Sequence, residues 1–178
     1  MDLRKYVTGV GSRRVTADGA KRVAEIATLL DKAGYTLRSG GADGCDTIFE
    51  QHMKSKTIFL PWAGFNGNRS AYTDIKLEAY RIASTVHPNW FNLKSAVKKL
   101  HARNVYQVLG YQLNNPSKLC VCWTPDGCKS EATSSTKTGG TRTAIVLANR
   151  FNVPIYNLYN YNDYIQLKQK LLKEIGAE

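Results

Sequence analysis

The sequence predicts an α/β fold: a Rossmann-like three-layer sandwich with a mainly parallel central sheet of about five or more strands. Short apolar segments with strand character alternate along the chain with segments whose apolar residues recur at helical spacing. This alternation is typical of a parallel sheet covered by helices on both faces. The 178 residues, 43% of them hydrophobic, suffice for one core and are too few for two ordinary domains. We therefore expect a single domain over residues 1–178.

The first half of the chain contains three predicted strands, at residues 5–10, 35–38 and 57–60. Between the first two, Thr16 can cap a helix whose apolar positions recur at helical spacing, and Gly34 ends that helix. A second helix is predicted over residues 46–53, after a glycine-rich turn. Pro61 closes the third strand because proline cannot continue a hydrogen-bonded ladder.

The segment from Trp62 to Asn92 has the least regular pattern. Glycine and asparagine indicate loops at its start, a helix is predicted over residues 74–83, and His87-Pro88-Asn89 indicates a turn. We expect this segment to form an irregular lid or insert, or to contribute to a dimer face.

The second half returns to the alternating pattern. A long helix is predicted over residues 93–113, a fourth strand over 118–123 and a fifth over 153–157. The polar loop 124–138 is long enough to indicate a functional or disordered segment. Gly139 opens a helix that runs through Asn149. A terminal helix follows, whose inward-facing residues are Tyr164, Leu167, Leu171 and Ile175.

The net charge of +11 and the pI near 9.6 indicate an anionic partner: nucleic acid, a nucleotide or an acidic surface. A basic surface that serves only solubility is the alternative. No apolar run approaches the roughly 20 residues that span a bilayer, and no signal-peptide core precedes the first strand. We therefore expect a cytoplasmic protein without a membrane partner.

The four cysteines do not form a C-x-x-C pair. Cys120 and Cys122 stand at strand spacing, and we expect reduced, packed thiols, with no metal and no cofactor. Zinc ligation by Cys120, Cys122 and Cys128 is the alternative.

Glycine-rich turns follow the first, second and fourth predicted strands, the last across the long loop. Parallel sheets bind ligands outside the carboxyl ends of their strands, so the three turns predict a shared phosphate or ribose site. The segment 9–11 lacks the third glycine of the dinucleotide fingerprint, and Arg38 stands where an NAD site needs an acidic residue. The sequence therefore does not favour a classical NAD site. The predicted ligand-binding residues of the turns are Gly9, Gly11, Ser12, Arg13, Ser39, Gly40, Gly41, Ala42, Thr138, Gly139, Gly140, Thr141 and Arg142.

Further candidates lie on the predicted helices. Arg103, next to Asn104, can reach the sheet edge and hold a phosphate bidentately, or it is a solvated helix arginine. Asp46 and Glu50 are one helical turn apart and can contact ribose hydroxyls or act as acid and base; the alternative is that they favour the helix dipole. His101 lies nearby, and a packed or capping role is the simpler interpretation.

Four of these motifs resemble, in the same order, those of the SLOG superfamily, which groups the DprA/Smf and LOG-like Rossmann-fold proteins. Residues 11–13 resemble the first-strand motif of DprA, and residues 39–46 (SGGADGCD) are similar to its S-G-x-A-x-G-I-D turn. Arg103-Asn104 falls where DprA has R-N-R and LOG proteins have H-E-R-K. Residues 139–144 fall where LOG proteins have G-G-x-G-T. The overall form looks like the short DprA-like proteins of phages, which implies the host-cell cytoplasm.

The departures from the family shape the functional expectation. The glutamate that LOG enzymes carry after G-G-x-G-T corresponds to Val146, and Arg142 replaces the last glycine of the motif. We therefore expect binding of a phosphorylated, nucleotide-derived ligand, including sequestration of a signalling nucleotide, rather than catalysis. One alternative is a DprA-like mediator that binds single-stranded DNA. Another is a LOG-type phosphoribohydrolase in which Glu50, Asp46 or Glu131 takes over the lost role. We also expect a homo-oligomer, a dimer or larger.

Overall fold

A single parallel sheet of five strands forms the centre of the protein. The structure, a computed structural model, describes residues 2–176. The spatial order of the strands is β3-β2-β1-β4-β5, and every neighbouring pair is parallel. The order reverses between β1 and β4, which opens a crevice at their carboxyl ends. The predicted fold class is confirmed. The strands are β1 (Lys5–Gly11), β2 (Tyr35–Ser39), β3 (Lys56–Ile58), β4 (Leu119–Trp123) and β5 (Ile155–Asn157).

Six α-helices cover the two faces of the sheet. They are α1 (Ala17–Lys32), α2 (Cys45–His52), α3 (Leu77–Val86), α4 (Ser95–Leu109), α5 (Arg142–Arg150) and α6 (Tyr161–Glu174). Helices α1, α2 and α6 pack on one face, and α3, α4 and α5 on the other. None of the helices in residues 2–176 has the length and apolar character that crossing a bilayer requires.

Two hydrophobic cores lie on opposite sides of the sheet, as the alternating side chains of β4 illustrate. Val121 points into the core shared with α1, α2 and α6, whereas Cys120 and Cys122 point into the core shared with α3, α4 and α5. All four thiols are buried, and burial raises the pKa of Cys45 and of Cys120 to about 12. Cys45 and Cys120 therefore stay protonated at neutral pH, and the buried thiols pack as small apolar groups.

The predicted ends of α1 are confirmed. The Thr16 hydroxyl accepts a hydrogen bond from the backbone N–H of Gly19 at 3.0 Å, which satisfies a free donor of the first turn. Gly34 adopts a φ of 84°, the left-handed conformation that favours glycine directly after a helix.

Helix α4 ends at Leu109, four residues before the predicted end at 113. Gly110 has a φ of 79°, and a Cβ at this position would lie 2.6 Å from the guanidinium of Arg38. Arg38 is buried against the ring of Tyr6 and donates hydrogen bonds to the Asn115 carbonyl and to Ser117. The helix therefore ends where the chain turns around a buried arginine, a contact that sequence periodicity does not contain.

The segment 62–92 contains two short 3-10 turns and α3, which begins three residues later than predicted. Helix α3 packs against α4, and the backbone N–H of Lys76 donates to the Tyr106 hydroxyl at 2.7 Å. The ring of Tyr106 stacks in turn on Phe59. The segment thus covers the second hydrophobic core.

Helix α5 begins at Arg142, three residues after the predicted start at Gly139. Residues 136–141 form a 3-10 turn, and Gly139 interrupts it with φ 62° and ψ −149°. This backbone region is accessible essentially to glycine alone, so the helix cannot extend back through Gly139.

Candidate functional site

A cavity of about 270 Å³ opens at the crevice between the carboxyl ends of β1 and β4. The end of β1, the turn after β2, one side of α4 and the turn before α5 form its walls. This is the position at which open parallel sheets bind ligands. The cavity is lined by Val10, Gly11, Ser12, Arg13, Ala42, Asp46, Leu100, His101, Arg103, Asn104, Gln107, Lys137, Thr138, Gly139, Gly140, Thr141 and Ala144.

The structure brings most of the predicted site residues to this one cavity. All three glycine-rich turns reach it, together with Asp46 and the pair Arg103-Asn104. Several predicted residues lie outside the lining. They are Gly9, Ser39, Gly40, Gly41, Glu50, Glu131 and Arg142.

The glycines of the first two turns serve contacts within the protein. A Cβ at Gly9 would lie 2.6 Å from Leu37, and one at Gly11 would lie 2.7 Å from the sulfur of Cys45. A Cβ at Gly40 would lie 2.5 Å from the Arg103 guanidinium. Ser39 uses its hydroxyl to bind the Gly9 carbonyl at 2.6 Å. These positions allow neighbouring segments to approach each other, and tight packing is the physical reason for glycine there.

The third turn differs, because its two glycines face open space. A Cβ at Gly139 or Gly140 would meet no atom within 4 Å. Gly139 needs to be glycine for its backbone conformation. The φ of Gly140 lies outside the left-handed region, so neither backbone strain nor packing requires glycine at that position. Gly140 is therefore the position where a close approach by a ligand would explain the residue.

Asp126 holds the third turn in place. Its carboxylate accepts hydrogen bonds from the hydroxyls of Thr124, Ser135 and Thr138 and from the Cys128 backbone N–H. Burial raises the pKa of Asp126, but these hydrogen bonds outweigh burial and lower it below its usual value. The side chain of Asn104 adds a hydrogen bond of 3.1 Å to the Gly140 carbonyl. The polar loop predicted at 124–138 is thus ordered around one carboxylate and delivers the turn to the cavity.

Arg103 is buried, so the alternative of a solvated helix arginine is wrong. Its Nη1 donates to the carbonyl of Gly40, and its Nε donates to Asn104 Oδ1 at 2.9 Å. Within residues 2–176, Nη2 forms no hydrogen bond, which leaves one edge of the guanidinium for a ligand. Burial lowers the pKa of Arg103 to about 10, and the charge of Asp46 opposes this effect. The side chain therefore stays charged at neutral pH.

Asp46 lies beside Arg103 and is also buried. Its carboxylate accepts a hydrogen bond of 3.3 Å from the Ala42 N–H, so the second turn already holds a carboxylate of the protein itself. Burial raises the pKa of Asp46 to about 6, against the lowering effect of the Arg103 charge. The second turn is consequently a poor place for a phosphate, because Asp46 occupies its amide and adds negative charge.

The other predicted carboxylates lie elsewhere. Glu131 forms ion pairs with Arg142 at 3.6 Å and with Arg150 at 3.4 Å. Glu50 lies on α2 outside the cavity, and burial raises its pKa although Lys56 opposes the effect. Val146 is fully buried in the second core, away from the lining residues. In the described part of the chain, Asp46 is therefore the carboxylate that lines the cavity.

The mouth of the cavity carries two exposed cations, Arg13 after β1 and Lys137 before the third turn. Within the described range, neither side chain forms an ion pair with a carboxylate. The first turn of α5 adds backbone N–H groups with the positive end of a helix. Positive charge at the mouth is thus not neutralised by the neighbouring side chains.

Six lining residues are absent from the predicted set: Val10, Leu100, His101, Gln107, Lys137 and Ala144. Gln107 and Lys137 are the ones among them that could hydrogen-bond a ligand and were not considered at all. Gln107 follows Arg103 by four positions, so helical spacing places both on one face of α4. That signal could have identified Gln107 once Arg103 was assigned to the site. Lys137 directly precedes the predicted Thr138, but nothing in a loop sequence indicates where its side chain points.

His101 also lines the cavity, and its predicted packed role agrees with its contacts. Its Nδ1 lies 2.8 Å from the Thr143 hydroxyl, and its ring stands 4.7 Å from that of His87. Burial lowers the pKa of His101 to about 4, and the charges of His87, Arg103 and Arg142 contribute in the same direction. His101 is therefore neutral at pH 7.

The lining contains no residue between 62 and 92 among those the structure describes, so this segment does not close over the cavity as a lid. Instead, the segment contacts residues in or next to the cavity walls. Asn66 donates a hydrogen bond of 3.1 Å to the Gly41 carbonyl, and the ring of Phe65 lies 5.6 Å from the Arg103 guanidinium.

Comparisons with known proteins give one structural similarity. No family model matches the sequence, and no curated protein matches it. The chain is similar to the solved structure of DNA processing protein A from Helicobacter pylori, which was described for its single-stranded DNA binding mode. The sequence identity is 16%, the TM-score is 0.39, and the match covers 94% of this chain and 80% of that chain. Membership of the SLOG superfamily stays a prediction.

Proposed function

We propose that the cavity binds a small, phosphate-bearing ligand of nucleotide type and holds the phosphate at its mouth. The open turn at Gly139-Gly140 carries this proposal, because its glycines face the cavity without any contact that requires them to be small. A phosphate can approach such a backbone closely and accept hydrogen bonds from the N–H groups that begin α5.

Charge at the mouth supports the same ligand. Arg13 and Lys137 flank the turn without carboxylate partners within residues 2–176. The volume of about 270 Å³ lies just below the range for small-molecule sites, about 300–1,000 Å³. A sugar phosphate or one nucleotide fits this size, whereas a dinucleotide cofactor needs more.

Titration calorimetry with ribose 5-phosphate and nucleoside 5′-monophosphates tests the proposal. Gly140→Ala places a methyl group at the phosphate position without straining the fold, and Arg13→Ala removes one cation of the mouth. We expect each substitution to weaken binding about tenfold, which corresponds to about 1.4 kcal/mol. Arg13→Ala removes a charge-assisted contact, and Gly140→Ala keeps the phosphate away from the backbone N–H groups. Arg14→Ala is the matched control, because Arg14 is the exposed neighbour of Arg13 and does not line the cavity. Equal effects of Arg13→Ala and Arg14→Ala, or full affinity of Gly140→Ala, would refute the proposed site.

Binding of single-stranded DNA is a second candidate, supported by an aromatic surface at the same sheet edge. Tyr159 and Tyr161 are exposed directly after β5, and the Arg22 guanidinium lies 5.7 Å from the ring of Tyr161. Aromatic rings beside cations, on a chain with net charge +11, are features on which bases can stack along a strand. Fluorescence anisotropy with an oligothymidine at increasing salt tests this candidate. We expect affinity to fall steeply with salt and to fall further in Tyr161→Ala; salt-independent binding contradicts it.

A further inference from the structure

Gln107 is a buried polar side chain without a partner. It is 1% exposed and lines the cavity, and its Oε1 is buried without a hydrogen bond. Buried amides are normally satisfied by protein groups or bound molecules, because an unpaired one forfeits the hydrogen bonds that it makes in water. An unpartnered amide on a residue that lines a cavity therefore points to a ligand that supplies the missing partner.

The position of Gln107 is fixed by its surroundings. Thr8 donates its hydroxyl to the Gln107 carbonyl at 2.6 Å and contacts the Ser117 hydroxyl at 2.8 Å. A Cβ at Gly40 would collide with Gln107 Nε2, so this glycine accommodates the amide. The Thr8 bond fixes the backbone of Gln107, and the space left by Gly40 lets its side chain lie buried against the cavity.

The cavity has a buried floor and an exposed mouth with different chemistry. We define the floor as Asp46, Arg103 and Gln107, which are at most 5% exposed, and the mouth as Arg13 and Lys137. The floor contains the Asp46 carboxylate, the free Nη2 edge of Arg103 and the unpartnered amide of Gln107, so it offers both acceptors and donors of hydrogen bonds. At the floor the charges of Asp46 and Arg103 offset each other, whereas the two cations of the mouth have no carboxylate partner within residues 2–176, so the mouth attracts a phosphate more strongly. A ligand is thus oriented with its phosphate outward and an uncharged group that both donates and accepts hydrogen bonds inward.

We propose that the Gln107 amide determines specificity by forming a hydrogen bond with a sugar hydroxyl, so that the site prefers a phosphorylated sugar with two neighbouring hydroxyls over its deoxy counterpart. This inference rests on the proposed function. A sugar phosphate fills a cavity of 270 Å³ and places its hydroxyls at the end opposite the phosphate, next to Gln107 and Asp46. A deoxy sugar leaves the amide unpaired, which is the arrangement that rejects an analogue most strongly.

Calorimetry with ribose 5-phosphate and 2-deoxyribose 5-phosphate tests the inference. We expect the wild-type protein to bind ribose 5-phosphate about tenfold more tightly than 2-deoxyribose 5-phosphate, or better. Gln107→Met has nearly the same shape without the amide, so it should bind the two sugars equally and keep the wild-type affinity for inorganic phosphate. Gln112→Met is the matched control, because Gln112 is exposed beyond the end of α4, and it should keep the preference.

The outcomes separate this inference from the proposed function. Equal binding of the two sugars by the wild-type protein overturns the inference and leaves phosphate binding intact. Failure of the wild-type protein to bind either sugar or inorganic phosphate overturns both proposals. Gln107→Leu is a second variant should Gln107→Met not fold, and a preference retained in whichever variant folds also overturns the inference. A residue with a purely structural role would alter stability but not the ratio of the two affinities.

Discussion

Asp46 and His101 are two buried titratable groups that line the cavity. The pH dependence of the free energy of unfolding tests both of them. Burial raises the pKa of Asp46 from 3.8 to about 6 in the folded state. Between these two values the folded protein binds more protons than the unfolded chain, so stability from this group is present at low pH and is lost as pH rises toward 6. A shift of about two units corresponds to about 3 kcal/mol at 1.36 kcal/mol per unit.

His101 contributes with the opposite sign in nearly the same range. Burial lowers its pKa from 6.5 to about 4, so the unfolded chain binds more protons between these values. Stability from this group is lost as pH falls from 6.5 toward 4. The shift corresponds to about 3 kcal/mol, which solvent screening of a partly exposed ring reduces to about 2 kcal/mol. The two contributions therefore nearly cancel in the wild-type protein.

Single substitutions separate the two opposing contributions to the free energy of unfolding. Relative to the wild-type protein, we expect Asp46→Asn to gain about 3 kcal/mol between pH 4 and pH 6.5, and His101→Asn to lose about 2 kcal/mol over the same range. Urea unfolding at half-unit pH intervals measures both differences, and Asp43→Asn, an exposed change in the same turn, should follow the wild-type curve. Difference curves that do not vary with pH, or that share one sign, would refute the assignment of these two groups as oppositely shifted.

The remaining predictions concern the support of the site. Asp126→Ala removes the acceptor of four hydrogen bonds, so we expect a loss of about 2 kcal/mol in unfolding free energy and faster proteolysis within residues 124–138. Asp74→Ala, which removes a single exposed hydrogen bond to Tyr111, is its control, and equal effects on proteolysis would contradict the role of Asp126. Gln107→Met without ligand should be about 1 kcal/mol more stable than wild type, because it removes an unpaired buried amide; a clear loss of stability in urea unfolding would show that the amide is satisfied in the free protein.

The sheet and the site edge were predictable because each depends on local sequence signals. Strand β1 is a short apolar run, Thr16 provides a helix cap, and Gly34 provides the left-handed residue after the helix. Once strands alternate with helices, the sheet must be parallel, and the carboxyl ends of its strands meet at one edge. From that rule we predicted that Ser12, Ala42 and Thr138 share a site, and all three line the same cavity.

The details that could not be predicted depend on tertiary contacts of polar residues. Arg38 and Arg103 both occur in ordinary local patterns, yet both are buried, and each donates to backbone carbonyls of a distant segment. The contact between Arg38 and Gly110 ends α4 early, which periodicity cannot indicate. The sequence also does not show why a glycine is needed. A side chain at Gly11 would collide with the sulfur of Cys45, whereas one at Gly140 would meet no atom.

The positions of the carboxylates bear on whether the cavity only binds its ligand or also hydrolyses an N-glycosidic bond. Hydrolysis needs a group that activates water and a means of supporting the departing base, placed within hydrogen-bond reach of the reacting atoms. Glu131 is held at the surface by Arg142 and Arg150, and Glu50 lies outside the cavity. Asp46 remains, but its carboxylate already binds the Ala42 N–H and lies at the floor, where the proposed orientation places sugar hydroxyls. Within residues 2–176, the carboxylate that lines the cavity is thus used for positioning, which agrees with the proposal that the cavity holds a sugar phosphate.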